Sequence, residues 1–399
     1  RFKCDWSSDV CSSDLMAVDP RTLRIPRDLL PEDGRFGSGP SRVRDAQVDA
    51  LSSRAGRALL GTSHRQAPVR ALVGRLRSGI ATLFALPSGY EVALGVGGST
   101  LFWDLAAYSL VERRSAHAVH GEFSAKFALA ARAPHLSAPL VVEAAPGSRA
   151  DLDTAARGAD AASVDAWGLV QNETSTGVAA AVRRPRMASG AAAPGLTLVD
   201  ATSAAGCLAW DPLEADAYYF SPQKGLGADG GLWIAALSPA ALARAERLSV
   251  ERQIPATLSL AAAVRESRKD QTLNTPAIAT LLLAAEQVDW LNASGGMAWT
   301  TARCAESSGR LYAWAESRPW AAPFVEDPTI RSKSVVTIDL DERIDAALLR
   351  DVLRANGIVD LDPYRSLKRN GLRVGTFPSV EPDDVSALTA CIDWVVDRL

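Results

Sequence analysis

Residues 217–237 read Ala217-Tyr-Tyr-Phe220-Ser-Pro-Gln-Lys224-Gly-Leu-Gly-Ala-Asp-Gly-Gly231-Leu-Trp-Ile-Ala-Ala-Leu237. Two apolar runs of strand length flank a loop in which Gly225, Gly227, Gly230 and Gly231 crowd a single lysine. Glycine admits positive φ and lets the backbone approach a bound group closely. A lysine held in such a loop can form a Schiff base once its ammonium loses a proton, which burial and a cationic neighbour promote. Taken alone, the stretch reads more readily as a hairpin with a solvated lysine, because Gly-rich turns are common.

Upstream, Leu196-Thr-Leu-Val-Asp200 ends on a carboxylate. At a strand's carboxyl end, such a group can pair with a protonated pyridine nitrogen and strengthen the ring as an electron sink. It also suits a helix N-cap, with Thr202 and Ser203 behind it. The ordered pair, Asp at a strand end and Lys on a later strand-flanking loop, favours the chemical reading. A third segment, Gly95-Val-Gly-Gly-Ser-Thr100, follows an apolar run and opens an amphipathic one. Backbone amides at a helix start, with two hydroxyls, form a phosphate cradle. The same residues serve a tight turn with Ser99 as cap, and the spacing matches neither a P-loop nor a dinucleotide fingerprint.

Around these segments, short apolar runs alternate with amphipathic stretches. Strands are predicted at 92–96, 140–143, 167–170, 196–200, 217–220 and 232–237, and helices at 66–86, 99–113 and 123–132. In the first helix Val69, Leu72, Val73, Leu76, Ile80, Leu83 and Phe84 fall on one face. Alternating strand and helix implies an α/β fold, a mostly parallel sheet covered on both faces, with ligands at the strands' carboxyl ends. After about residue 275 the pattern changes. Long helices at 277–291 and 298–317, strands at 335–340, 358–361 and 372–376, and helices at 344–356 and 383–399 predict a smaller α+β unit. Residues 183–195 read as a surface connection.

With 399 residues, two domains are expected. A net charge of −3 argues against a phosphate-backbone partner. No apolar run of about 18 residues occurs, so no membrane span is expected. Residues 1–15 are rich in Ser, Asp and Cys, precede Met16, and read as a foreign or disordered tail. Setting them aside leaves Cys207, Cys304 and Cys391, which make neither a disulfide framework nor a zinc spacing and suit a reducing, cytoplasmic setting. His117 and His135 read as surface or loop histidines, and no metal site is expected. Trp290, Trp299, Trp314 and Trp320 are expected to pack the domain junction.

Six motifs, in order, resemble phosphoserine aminotransferases, above all their actinobacterial branch. They are Gly61-Thr-Ser-His-Arg65, Gly97-Gly-Ser-Thr100, Gln171-Asn-Glu-Thr174, Val199-Asp200, Ser221-Pro-Gln-Lys224 and Leu273-Asn-Thr-Pro276, with Phe36-Gly-Ser-Gly-Pro40 ahead of them. The resemblance implies the fold-type I architecture. A tail would occupy 1–15, and a segment at 16–34 would pack on the small domain. A large cofactor domain would span 35–276 and a small C-terminal domain 277–399. It also implies pyridoxal 5'-phosphate as cofactor, bound to Lys224 as a Schiff base, with Asp200 on the ring nitrogen. Gly98, Ser99 and Gln223 would hold the cofactor phosphate, Thr174 the ring-hydroxyl region, and Phe123 would stack on the ring where many relatives use Trp. Asn274 and Thr275 would reach the other subunit's cofactor phosphate, implying a homodimer with shared sites.

For substrate anions the resemblance implies His64, Arg65 and Arg373. Many relatives carry an Arg where this chain has Ser99, and a His where it reads Tyr364-Arg-Ser-Leu-Lys-Arg369; Arg365 and Lys368 are the candidate replacements. The implied reaction moves an amino group between L-glutamate and 3-phosphohydroxypyruvate. Other readings stay open: an alanine or serine–glyoxylate aminotransferase of the same fold, or a non-catalytic cofactor-binding protein. A cysteine desulfurase is disfavoured because Cys304 sits in a helical stretch.

Overall fold

The computed structural model describes residues 22–399. The tail expected at 1–15, and 16–21 of the segment after it, lie outside the described residues. Two short helices, α1 (Asp45–Ser52) and α2 (Arg54–Leu59), lead into α3 (Ala67–Leu83). Then follow β1 (Glu91–Val96), α4 (Ser99–Ser109), β2 (Ser115–Val119), α5 (Glu122–Ala130), β3 (Leu140–Glu143), α6 (Asp153–Ala156) and β4 (Ala166–Val170). A small hairpin, β5 (Asn172–Glu173) with β6 (Val178–Ala179), precedes β7 (Leu196–Asp200), β8 (Ala217–Phe220), β9 (Leu232–Leu237), α7 (Pro239–Glu251) and α8 (Leu260–Ser267). The chain closes with α9 (Ile278–Ala293), α10 (Gly296–Glu316), β10 (Ala321–Pro323), β11 (Val335–Leu340), α11 (Ala346–Ala355), β12 (Gly371–Gly375) and α12 (Pro382–Val396).

Seven strands form one sheet in the order β1-β9-β8-β7-β4-β2-β3. Pairing is parallel from β8 through β7, β4 and β2 to β3, and antiparallel on both sides of β9. Two antiparallel steps restore the direction, so β1 runs the same way as β8. The carboxyl ends of β1, β2, β4, β7 and β8 therefore share one edge, and β9 enters from it. The central strands are buried on both faces, as their unbroken apolar runs require. On one face of the sheet, α3 and its C-cap Phe84 bury all seven residues of the predicted stripe, each such side chain contributing about 1.5–3 kcal/mol relative to exposure.

β2 escapes sequence reading because Ser115 and His117 interrupt its apolar pattern. All five of its residues are buried. His117 is not a surface histidine: its Nε2 meets Ser115 Oγ at 2.9 Å, its ring packs edge-on against Phe127, and burial drives its pKa down to about 3. The ring is therefore neutral across the physiological range.

The small sheet, β10-β11-β12, is antiparallel and packs with α10, α11 and α12 in a second core. Residues 358–361, expected as a strand, make only a parallel bridge from Val359 to Arg35. Their backbone groups bond instead to Gly34, Phe36 and Arg373. Ile25 is buried in this core, and Glu32 N donates to Asp384. The division expected at 276/277 does not match the packing. Ile278, Leu281, Leu282, Leu283, Val288 and Leu291 of α9 belong to the large core, with Met297 and Trp299 at the start of α10 packed on it, and α10 enters the small core only at Leu311. The tryptophans divide likewise: Trp290 and Trp299 pack on the large core, Trp314 and Trp320 in the small one.

Candidate active site

A cavity of about 370 Å³ opens at the shared strand edge. Its wall includes Gly98, Ser99, Phe123, Thr174, Asp200, Gln223 and Lys224, each singled out from sequence, together with Thr202, read there only as part of a cap, and Trp103, which was not singled out.

Lys224 sits in the turn after β8. Its side chain is buried, and Nζ donates to Ser38 O at 2.6 Å. Burial, and then the positive charge of Arg373, lower its pKa to about 7. A large fraction is thus the neutral amine near neutrality, the form that attacks a carbonyl. The solvated hairpin lysine is excluded.

Asp200 ends β7 and is buried. Burial raises its pKa, while donors from Thr202 and Trp103 oppose the rise. Oδ1 accepts from Thr202 N at 2.8 Å and faces Thr202 Oγ1 at 2.5 Å; Oδ2 accepts from Trp103 Nε1 at 2.7 Å. Residues 202–207 form turns, not a helix, so the helix-capping role fails.

Gly98 precedes α4, and Ser99 N donates to Ser221 Oγ at 2.8 Å. A chain of hydroxyl contacts continues from Ser221 to Ser99 at 3.0 Å and from Ser99 to Thr202 at 2.7 Å. Near it, Gln223 Oε1 is buried with no hydrogen-bond partner among the described residues. Phe123 lies in the first turn of α5. Its amide and that of Ser124 donate to the buried carboxylate of Glu173 at 3.2 and 2.9 Å, which ties the ring's helix to the β5 strand. Thr174 donates its hydroxyl to Ser203 at 2.8 Å, leaving its oxygen as an acceptor.

Arg373, on β12, does not line the cavity but lies behind its wall, close enough to act on Lys224. Its guanidinium donates to Thr174 O at 3.3 Å and lies over the Tyr364 ring, while Nε is buried without a partner among the described residues. The ring of Tyr364 meets that of Phe123 edge-on at 5.4 Å, so the segment after Pro363 touches the cavity's aromatic wall. Arg365 and Lys368 on that segment are exposed and do not line the cavity. His64, Arg65, Asn274 and Thr275 do not line it either. They cluster elsewhere: His64 Nδ1 meets Thr275 Oγ1 at 3.2 Å, His64 is buried, and Arg65, Asn274 and Thr275 are exposed. Cys304 is buried in α10, away from the cavity wall. No cluster of metal-ligating side chains occurs among the described residues.

The class-V aminotransferase profile matches residues 38–359. A phosphoserine aminotransferase of a Nocardioides species is 56% identical over 379 residues, 94% of this chain and 99% of its own. Among solved structures, a phosphoserine aminotransferase from Cytophaga hutchinsonii superposes with a TM-score of 0.82 at 22% identity, covering 91% of this chain and 99% of the other. A PLP-bound phosphoserine aminotransferase from Trichomonas vaginalis superposes with a TM-score of 0.76 at 17% identity, covering 91% and 100%. The profile, spanning most of the chain and both Asp200 and Lys224, makes this protein a member of the class-V aminotransferases.

Proposed function

We propose that the chain is a phosphoserine aminotransferase, moving an amino group between L-glutamate and 3-phosphohydroxypyruvate to give 2-oxoglutarate and O-phospho-L-serine. The substrate assignment is carried by the 56% identity, over nearly the full length of both chains, to the Nocardioides enzyme. Fold likeness alone leaves the substrate open.

The residues present fit pyridoxal phosphate. Gln223 has an orphaned buried oxygen, α4 offers its N-terminus, Asp200 retains acceptor capacity, and a lowered-pKa amine stands opposite. Gly98, Ser99 and Gln223 would hold the phosphate, Thr174 the ring hydroxyl, Phe123 one ring face, and Asp200 the ring nitrogen. When bound, the cofactor supplies an aldehyde for imine exchange with amino groups and a ring that takes up the electron pair left when the substrate Cα–H bond breaks. Lys224 Nζ would hold the cofactor covalently and, once freed as an amine, would accept the proton from the substrate Cα as general base and give it back across the imine nitrogen as general acid. Asp200 would keep the ring nitrogen protonated. Phe123 and Tyr364 keep water from one side. Arg373, with its unpaired buried Nε, would grip the substrate carboxylate through a planar fork.

The cluster of His64, Arg65, Asn274 and Thr275 has no place in its own chain's cavity. A homodimer in which this cluster serves the other subunit's site accounts for that, with Arg65 reading the substrate phosphate. No described helix is long and apolar enough to cross a membrane, and the three described cysteines are free; a cytoplasmic enzyme fits both.

Supplying glutamate with 3-phosphohydroxypyruvate, hydroxypyruvate, glyoxylate or pyruvate tests the assignment. The phosphorylated acceptor should give the highest kcat/KM. Equal or better turnover of glyoxylate or pyruvate would reassign the enzyme within its family.

A further inference from the structure

Trp103 lies one helical turn beyond Ser99 in α4, buried, with its ring stacked near Phe127 and its Nε1–H on Asp200 Oδ2 at 2.7 Å. An ionised carboxylate has about four lone-pair positions. Thr202 takes the two on Oδ1, through its amide at 2.8 Å and its hydroxyl at 2.5 Å, and Trp103 takes one on Oδ2. One position remains, on the oxygen that Trp103 holds, and Asp200 lines the cavity.

We propose that Trp103 is a positioning residue for transamination: its indole N–H fixes the plane of the Asp200 carboxylate so that the last lone pair of Oδ2 meets the cofactor's ring nitrogen. The proposal rests on the reading of this cavity as a pyridoxal phosphate site. A buried carboxylate with Thr202 alone can rotate about its side-chain torsion, and rotation would turn the free lone pair away from the ring. The indole also draws charge from Oδ2, which keeps the carboxylate the weaker base of the pair and leaves the proton on the ring nitrogen. Both effects act in one direction, so losing the N–H lowers ring protonation. The other groups near Asp200 do not replace it. Glu173 opposes its ionisation, Tyr218 and Tyr219 are buried and neutral, and Lys224 lines the same cavity without bonding to it.

The test separates the N–H from the bulk of the ring. Trp103 is replaced by 3-benzothienylalanine, which keeps the bicyclic shape and puts sulfur in place of N–H, and in parallel by Phe. The proteins are loaded with pyridoxal phosphate labelled with nitrogen-15 in the ring. In the unmodified protein the ring-nitrogen resonance should sit at the protonated position and hold there with pH. In the benzothienyl protein it should move toward the unprotonated position and become pH-dependent, with cofactor binding weakened about tenfold. Trp103→Phe, if it folds, should show the same resonance change plus a loss of thermal stability. A benzothienyl protein that keeps the unmodified resonance, whatever its stability, overturns the positioning role. Failure of the unmodified protein to bind the cofactor, or an unprotonated ring within it, would remove the cavity reading itself and the proposal with it.

Discussion

The amine of Lys224 lies 2.6 Å from the carbonyl oxygen of Ser38, in the space a side chain at residue 39 would occupy. Two segments far apart in sequence are thus packed against each other at this amine. Ser41 strengthens the contact: its amide bonds to Gln223 O and its hydroxyl to Lys224 O at 2.5 Å.

Residue 39 must therefore be glycine. A Cβ there would fall 2.0 Å from Lys224 Nζ and 2.3 Å from Cε, at a φ of +141° that side-chain-bearing residues rarely adopt. Gly39→Ala should leave the protein folded but displace the amine. A misplacement of about 1 Å can cost 100-fold in rate, so a kcat lowered by about that factor is expected, with slower covalent uptake of the cofactor. Borohydride labelling at Lys224 that proceeds at the unmodified rate in Gly39→Ala would show that the contact is dispensable.

Titration of Lys224 should appear in the stability of the cofactor-free protein. Burial, with Arg373 second, brings its pKa from 10.5 to about 7. Between those values the unfolded chain holds a proton that the folded chain has released. The unfolded state binds more protons there, so stability rises with pH across that window. Lys224→Met lacks this slope. From pH 7 to 10, the unmodified protein should gain on Lys224→Met by an amount on the order of a few kcal/mol, read from denaturant midpoints. Parallel profiles would mean that the folded lysine is charged throughout.

Much of the fold was legible because its signals are local. The α3 stripe and the strands ending at Asp200, Phe220 and Leu237 carry their periodicity in their own residues, and all six predicted large-sheet strands appear. Lys224 and Asp200 were legible because strand-end placement constrains side-chain location. Trp103 was not, because among Leu101, Phe102 and Leu105 it reads as a core aromatic. Only the meeting of α4 with the end of β7 puts its N–H on Asp200. His117 misled because a polar residue in a strand's middle looks like a loop until a serine two positions away answers it. The boundary after residue 276 was read from the change of pattern there, but the apolar residues of α9 complete the large core.

Glu173 should prove a stability determinant with a catalytic consequence. Its carboxylate accepts from the amides of Phe123 and Ser124 and the hydroxyls of Ser124 and Ser175, the last at 2.7 Å. It thus places negative charge at the N-terminus of α5, which the helix dipole favours. Hydrogen bonds to a charged group contribute about 1.5–3 kcal/mol each. Glu173→Ala should cost at least about 3 kcal/mol in chemical denaturation, and Glu173→Gln roughly half of that. The cofactor's visible band should also shift, since Phe123 loses its tether. A loss in Glu173→Ala smaller than that of an ordinary surface substitution would argue that water takes over the amides.

The last expectation concerns which chain completes the site. His64 and Thr275 meet at 3.2 Å, and neither they nor Arg65 and Asn274 line their own cavity. If this cluster serves the other subunit, Lys224→Ala protein and a double Asn274→Ala, Thr275→Ala protein are each inactive, but a mixed dimer contains one intact site. Random reassortment yields mixed dimers in about half the population, so about a quarter of normal activity should return. Confirmed mixed dimers without activity would make each subunit self-contained. The same logic extends to the substrate. Arg65→Gln should lower kcat/KM for phosphoserine on the order of 10- to 150-fold while sparing glutamate, because only phosphoserine offers a phosphate. Arg373→Gln should weaken both, because both carry the α-carboxylate. Lys224→Ala mixed with Arg65→Gln should recover phosphoserine turnover as the Asn274 and Thr275 pairing does, since Arg65 would also act across the interface. Equal losses for the two substrates in Arg65→Gln would transfer the phosphate-reading role to Arg365 and Lys368, on the segment that brings Tyr364 against Phe123.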